Sequence, residues 1–194
     1  MNPRLIAITG GIGSGKSVVS KILRTWNFEV FDCDSEAKAL MDADNEIKRR
    51  LQEEIAFEIV NDGVIDRKLL SAIVFADNEK LLILNSIVHA AVKRAINKRA
   101  SNTLSPVFFI ETAILYASGL NEMVDGEWRV TAPEELRIER VMKRNGFSRQ
   151  QVEARMAAQE SEISGKAPNP PLTEIINDIS TPLLPQLVAA LNSL

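Results

Sequence analysis

The stretch GGIGSGKS, Gly10 to Ser17, has the spacing G-x-x-x-x-G-K-[ST] of a phosphate-binding loop. Glycines at those positions let successive backbone N–H groups turn inward on phosphate oxygens. Lys16 then places an ammonium at the β and γ oxygens, and the Ser17 hydroxyl can ligate Mg²⁺. Two carboxylates follow, Asp32 and Asp34, in VFDCDSEAKAL at residues 30–40. If a strand persists through them they share one side, with Cys33 on the other. Facing a γ-phosphate and its Mg²⁺, one carboxylate can orient or deprotonate an attacking hydroxyl while the other helps hold the metal's waters. A plainer reading stands beside this one: Asp34 N-caps a helix that begins at Ser35, and Asp32 is a solvated strand end. Glu111 is a further carboxylate for the metal shell.

These groups need a frame. RLIAIT, residues 4–9, is a short apolar run before the loop, and SVVSKILRTW, residues 17–26, carries Val18, Ile22 and Trp26 at helical spacing after it. The helix start aims its N–H groups and the positive end of its dipole at a bound anion. FEVFD (28–32), PVFFIE (106–111), WRVTA (128–132) and TEIIND (173–178) read as further strands, and PLLPQLVAALNSL as a closing helix. Strands separated by helical segments predict an α/β fold, a parallel five-stranded sheet of the phosphate-loop NTPase type flanked by helices. Ligands of such sheets bind at the carboxyl ends of the strands, where the Asp pair falls.

Between residues 35 and 105 strand signals nearly vanish. EKLLILNSIVHAAVKRAINKR puts Leu81, Leu84, Val88, Val92 and Ala95 on one stripe, which predicts a helical insertion. A second insertion, from Pro133 to Gly165, carries Arg137, Arg140 and Arg144 on one helical face. Gly146 ends that helix, and SRQQ starts another as a capping box from Ser148 to Gln151. This reads as a lid delivering guanidinium groups to phosphates, with Arg155 on its second helix. The expected division is a nucleotide-binding core of 1–35, 105–132 and 167–194, a substrate-binding insertion of 36–104, and a lid of 133–166.

The chain has 194 residues and a net charge of −3, so electrostatics do not point to nucleic acid as a partner. A single cysteine, Cys33, excludes an internal disulfide and fits a reducing compartment; a single histidine, His89, excludes a multi-histidine metal site. The first residues reach Gly10 and Lys16 before they supply a signal peptide's apolar stretch and no later apolar run nears ~20 residues, so the expected setting is cytoplasmic, with no membrane partner. Trp26, Trp128 and His89 read as packing residues. The oligomeric state is left open.

Taken together, these segments resemble the dephospho-CoA kinase family. TGGIGSGKS resembles its phosphate loop, FDCDSEAKAL its Asp-x-Asp segment, and DGVIDRKLLSAIVF, residues 62–75, its Asp-Gly-x-Leu-Asp-Arg stretch. IVHAAVK looks like its His-Pro segment, APEELRIERVMKRNGFSRQQVEARMAAQ is similar to its lid, and EIIND to its last strand. The resemblance implies ATP and Mg²⁺ as cofactors and dephospho-CoA as the small-molecule partner. It also implies Gly11, Ile12, Gly13, Ser14, Gly15, Lys16, Ser17 and Val18 at the nucleotide, joined by Arg155, with Ser17 and Asp32 at the metal. Asp34 becomes the base, with Lys16, Arg140 and Arg144 supporting transfer. Ala90 replaces the family's proline after His89, so the helix there is expected to run on unbroken. Ala117 stands at the usual glutamate position, and GKAPNPPLTE is more proline-rich than the family's link to its last strand. Alternatives are a shikimate-kinase-like enzyme, although that family's triple-glycine segment is absent, and a non-catalytic nucleotide-binding module. GTPases need Asn-Lys-x-Asp, and NKRA at 97–100 lacks the aspartate.

Overall fold

The computed structural model describes residues 2–163 and 170–194. Along the chain run β1 (Arg4–Thr9), α1 (Lys16–Thr25), β2 (Glu29–Asp32), α2 (Cys33–Ala43), α3 (Asn45–Glu54), β3 (Val60–Asn61), β4 (Val64–Ile65), α4 (Arg67–Ala76) and α5 (Asn78–Ala100). Then come β5 (Val107–Glu111), β6 (Gly126–Thr131), α6 (Glu134–Asn145), α7 (Arg149–Ile163), β7 (Leu172–Ile176) and α8 (Leu183–Asn192). Two compact units result, Met1–Phe31 with Thr103–Leu194, and Asp32–Asn102.

The first unit is built on a sheet of order β2-β5-β1-β6-β7, with β1 parallel to both β5 and β6 and β6 parallel to β7. Only β6 and β7 are both adjacent in the sheet and consecutive strands, and every parallel pairing needs a crossover. Residues 6–9 of β1 are all buried, which is why RLIAIT reads as a run and not as an alternation. Ile6, Ile8, Phe109, Trp128 and Val130 pack with Val19 and Leu23 of α1 and Leu187 of α8, and Trp26 lies against the same cluster. The Phe109 ring meets Phe28 edge-on at 5.6 Å and Trp128 at 5.0 Å between centroids.

Helix α1 stops because Asn27 takes a left-handed φ of 65°. The Asn27 N–H donates to Arg24 O at 3.1 Å and the Phe28 N–H to Leu23 O at 3.0 Å, a double closure that turns the chain into β2. Strand β6 starts earlier than WRVTA suggests, at Gly126, because the buried Glu127 breaks the apolar pattern without breaking the strand. In the helical hairpin, Gly146 ends α6 at φ 69°. Ser148 and Gln151 form the expected box, Ser148 N donating to Gln151 Oε1 at 2.9 Å and Gln151 N to Ser148 Oγ at 3.3 Å. The hairpin's own core is Ile138, Val141, Val152 and Met156.

The second unit packs α2, α3 and α4 around α5. An aspartate N-caps each helix: Asp32, Asp44, Asp66 and Asp77. Its core includes Ile47, Leu51, Ile59, Leu70, Val74, Ile87 and Ala91. The buried face of α5 is Ile87, Ala91, Val92, Ile96 and Ala100, rotated from the expected stripe; Leu81 and Leu84 are only partly buried and Val92 alone of the five is fully so. Both stripes satisfy helical spacing, and the surrounding helices select between them. Helix α5 runs unbroken through Ala90. His89 is half-buried within it, and burial, then the Lys93 charge, holds its pKa below the usual value.

One element escaped the sequence reading, the hairpin of β3 and β4. Val60 pairs with Ile65 and Asn61 with Val64 around Asp62 and Gly63, both at positive φ. Asp-Gly is a strong signal for such a turn, but two-residue strands show no readable alternation. The link GKAPNPPLTE begins outside the described residues, as does Lys166 within it. The described helices include none long and apolar enough to cross a membrane.

Phe109→Ala removes a fully buried ring from the sheet core and is expected to cost about 3–5 kcal/mol, read as a lowered denaturation midpoint in urea.

Candidate nucleotide-binding site

The loop between β1 and α1 is held by its missing side chains and by its own carbonyls. Gly15 caps α1 at φ +96°, a conformation that L side chains rarely adopt, and a β-carbon there would overlap Asn177 Nδ2. One on Gly11 would overlap the Arg137 guanidinium. The carbonyls collect donors. Lys16 Nζ donates to Gly10 O at 2.7 Å and Gly11 O at 3.4 Å; Arg140 donates to Gly13 O and Ser14 O at 3.4 Å each; Asn177 Nδ2 donates to Ser14 O at 2.8 Å. Arg140 also donates to Asn177 O at 3.1 Å, joining the last strand's exit to the loop.

Not every loop residue points at an anion. Ser14 is buried, with its N–H on Gly11 O at 3.1 Å. The Val18 N–H closes the first turn of α1 on Gly15 O at 2.9 Å, and the Val18 side chain is half exposed. Ser17, one position into α1, is exposed, and first-turn N–H groups have no carbonyl within their own helix. Ile12 is given over to the helical hairpin: Arg137 Nε donates to its carbonyl at 3.0 Å, and its N–H donates to Gln159 Oε1 at 2.7 Å.

The Asp pair differs from a strand-borne one. Strand β2 ends at Asp32 and α2 begins at Cys33, so Asp32 and Asp34 do not alternate along an extended chain, and it is Asp32, not Asp34, that caps. Asp32 Oδ1 accepts from the N–H groups of Asp34 and Ser35 at 3.1 Å each, and Oδ2 accepts from Ser35 Oγ at 2.8 Å. Asp34 sits exposed in the first turn of α2. Cys33 is buried.

Beside the loop, a cavity of about 250 Å³ is lined by residues including Thr9, Gly11, Ala113, Tyr116, Arg129 and Arg137. At its floor Glu127 is fully buried; Tyr116 Oη donates to Glu127 Oε2 at 2.5 Å and Arg129 Nε to Oε1 at 2.8 Å. Burial first, then the hydrogen bond to Glu127, pushes the Tyr116 phenol up to about 12. Burial lowers the Arg129 pKa, but the hydrogen bond and charge of Glu127, together with Tyr116, leave it raised.

A family model described as dephospho-CoA kinase matches residues 4–167. The chain belongs to the dephospho-CoA kinase family. It is 42% identical over 159 residues to a dephospho-CoA kinase of Porphyromonas gingivalis, covering 82% of this chain and 79% of that one. A Bacteroides fragilis dephospho-CoA kinase is 35% identical over 184 residues, covering 94% and 89%. A Thermus thermophilus crystal structure superposes with a TM-score of 0.77 at 35% identity, covering 100% of this chain and 96% of that one. A Campylobacter jejuni dephospho-CoA kinase shares the fold, with a TM-score of 0.66 at 21% identity over 97% and 96%. Enzymes of the family use ATP, normally with Mg²⁺.

In this member of the family the arginines anticipated as a set divide. Arg137 and Arg140 reach the loop; Arg144 is exposed, its Nε on Asn145 Oδ1 at 2.8 Å, and Arg155 lies 4.4 Å from the centroid of the Phe147 ring. Arg137, read as one of three lid arginines for phosphates, reaches the carbonyl of Ile12. Asn177 and Gln159 join the loop without having been singled out for it by sequence, legible only within the last-strand and lid-like segments. Among the described residues no three His, Cys, Asp or Glu side chains gather as a metal cage.

Tyr116 is the only tyrosine in the chain, so phenolate absorbance reports it alone. Its folded pKa is raised, so its contribution to stability is fully present below the unfolded value of 10.0 and is lost as pH climbs toward about 12. A spectrophotometric titration of the folded chain is expected to show phenolate near pH 12, and one in urea near pH 10; coincident curves would contradict the burial of Tyr116 and its Glu127 contact.

Proposed function

We propose that this chain is an ATP-dependent kinase that transfers the γ-phosphoryl group to the ribose 3′-hydroxyl of dephospho-CoA, giving coenzyme A and ADP. The observation that carries the reading is the family match, which spans the phosphate loop, the helical insertion and the helical hairpin together. The new bond joins the ribose 3′-oxygen to the γ-phosphorus, the bond from γ-phosphorus to the β–γ bridging oxygen breaks, and the hydroxyl proton passes to a carboxylate. Asp34, exposed in the first turn of α2, is assigned that proton.

Lys16 is assigned to the β and γ oxygens, exchanging the carbonyls of Gly10 and Gly11 for them. The backbone from Gly13 into α1 grips the nucleotide's phosphates, and Arg140, already at the loop, screens charge that develops during transfer. Ser17 would hold Mg²⁺ directly and Asp32 would hold its waters, an arrangement that leaves the capping bonds of Asp32 intact. When bound, the ion neutralises phosphate charge. Arg144 and Arg155 are assigned to phosphates only after a rearrangement of their side chains. Residues 36–104 bind the acceptor and 133–166 cover the nucleotide. The absence of a membrane-crossing helix among the described residues and the lone buried cysteine support a cytoplasmic setting.

In a coupled assay of ADP release, dephospho-CoA is expected to stimulate turnover while shikimate and AMP do not; release independent of any acceptor would reject the assignment. Asp34→Asn is expected to keep MgATP affinity and lower kcat by about 10²-fold or more, and unchanged turnover would remove Asp34 as the base. Lys16→Ala is expected to reduce kcat/KM for MgATP, which initial-rate measurements check directly.

A further inference from the structure

Ile12 is the one residue between Gly11 and Gly13, and the helical hairpin holds it at every point by which a residue can be held. Its side chain packs against the core of Ile138, Val141, Val152 and Met156. Its carbonyl accepts from Arg137 Nε on α6, and its N–H donates to Gln159 Oε1 on α7. Gln159 does more than accept this bond. Its Nε2 donates to Ala113 O at 3.2 Å, in the segment that leaves β5. One partly buried side chain amide therefore joins α7, the phosphate loop and the exit of the neighbouring strand.

We infer that Gln159 is a positioning residue for the phosphate loop, which fixes the Ile12 peptide and thereby sets the affinity for the nucleotide's phosphates. Gly10, Gly11, Gly13 and Gly15 leave this segment with few conformational restraints of its own. A loop that must be ordered by its ligand binds that ligand more weakly than one already ordered. The Ile12 side chain anchors the residue to the hairpin core, and the Arg137 contact holds the Ile12–Gly13 peptide by its carbonyl. The Gln159 contact holds the preceding Gly11–Ile12 peptide by its N–H and fixes its rotation, so that the phosphate-facing N–H groups beyond it keep their direction. Because the Ile12 N–H is bonded to Gln159, it is not one of the amides that meet the anion. The inference rests on nucleotide binding at this loop and not on the identity of the acceptor.

Gln159→Met keeps length and removes both hydrogen bonds. In the 194-residue chain its affinity for MgADP, measured by calorimetry without any acceptor, is expected to fall about 3- to 10-fold, the range of one net hydrogen bond. Amide exchange at Ile12 is expected to quicken while amides within α6 and α7 keep their protection. MgADP affinity within 2-fold of the unaltered chain would overturn the inference. So would a loss of affinity accompanied by faster exchange throughout both helices, which marks a merely structural part. The unaltered chain supplies a check that needs no variant: an Ile12 amide exchanging at the rate of an unprotected peptide overturns the inference as well. Since no arm uses dephospho-CoA, failure here is distinct from failure of the kinase reading.

Discussion

A backbone segment almost without side chains has to be held in one shape, and the rest of the first unit is arranged around that requirement. Carbonyls turned away from solvent need donors, and the donors here are cationic or amide side chains: Lys16, Arg137, Arg140 and Asn177. The groups that satisfy the loop are thus the same types of group that suit phosphate oxygens. Positive charge is stationed at the loop by its carbonyls, so a bound anion has only to attract these groups over a short distance. The glycines contribute by absence. Their missing β-carbons admit the Arg137 guanidinium and the Asn177 amide to places where any side chain would collide.

The sheet supplies rigidity under this loop. Strand β1 is central, with β5 and β6 on either side, and its buried residues pack against both neighbours and α1. The carboxylate buried on the sheet is satisfied by its neighbours. Glu127 has no solvent contact, yet Tyr116 and Arg129 occupy its two oxygens, which avoids the cost of an unpaired buried charge. In the second unit, polar groups work at helix ends instead. Four aspartates accept the first-turn N–H groups of four helices, and a carboxylate there also favours the positive end of the helix dipole. Asp32 shows how a residue selected for its chemical type can already be committed to structure, since its two oxygens hold three donors.

Much of the architecture could be read before any coordinates. RLIAIT and PVFFIE announced strands because strands buried on both faces must be apolar throughout, and Gly146 and SRQQ announced a helix end and a helix start through local chemistry. The β3–β4 hairpin was not legible because its strands are too short to show a period. The start of β6 was hidden by Glu127, whose partners Tyr116 and Arg129 are identified only by folding. The α5 stripe was set one face away because several stripes along a 23-residue helix satisfy the same spacing.

For the site, the sequence by itself determined the phosphate loop, since phosphate contact is made by the backbone and the residues that permit it must be contiguous and mostly glycine. It also determined the presence of carboxylates after the second strand and of arginines on the hairpin, because these are matters of residue type and helical spacing. Tertiary structure alone decided which of those groups meet. It gave Ile12 to the hairpin, brought Arg137, Gln159 and Asn177 to a loop far from them in the chain, and left Arg144 and Arg155 with Asn145 and Phe147. Such choices depend on how helices pack and on which carbonyls need donors, and no local pattern in the sequence encodes either.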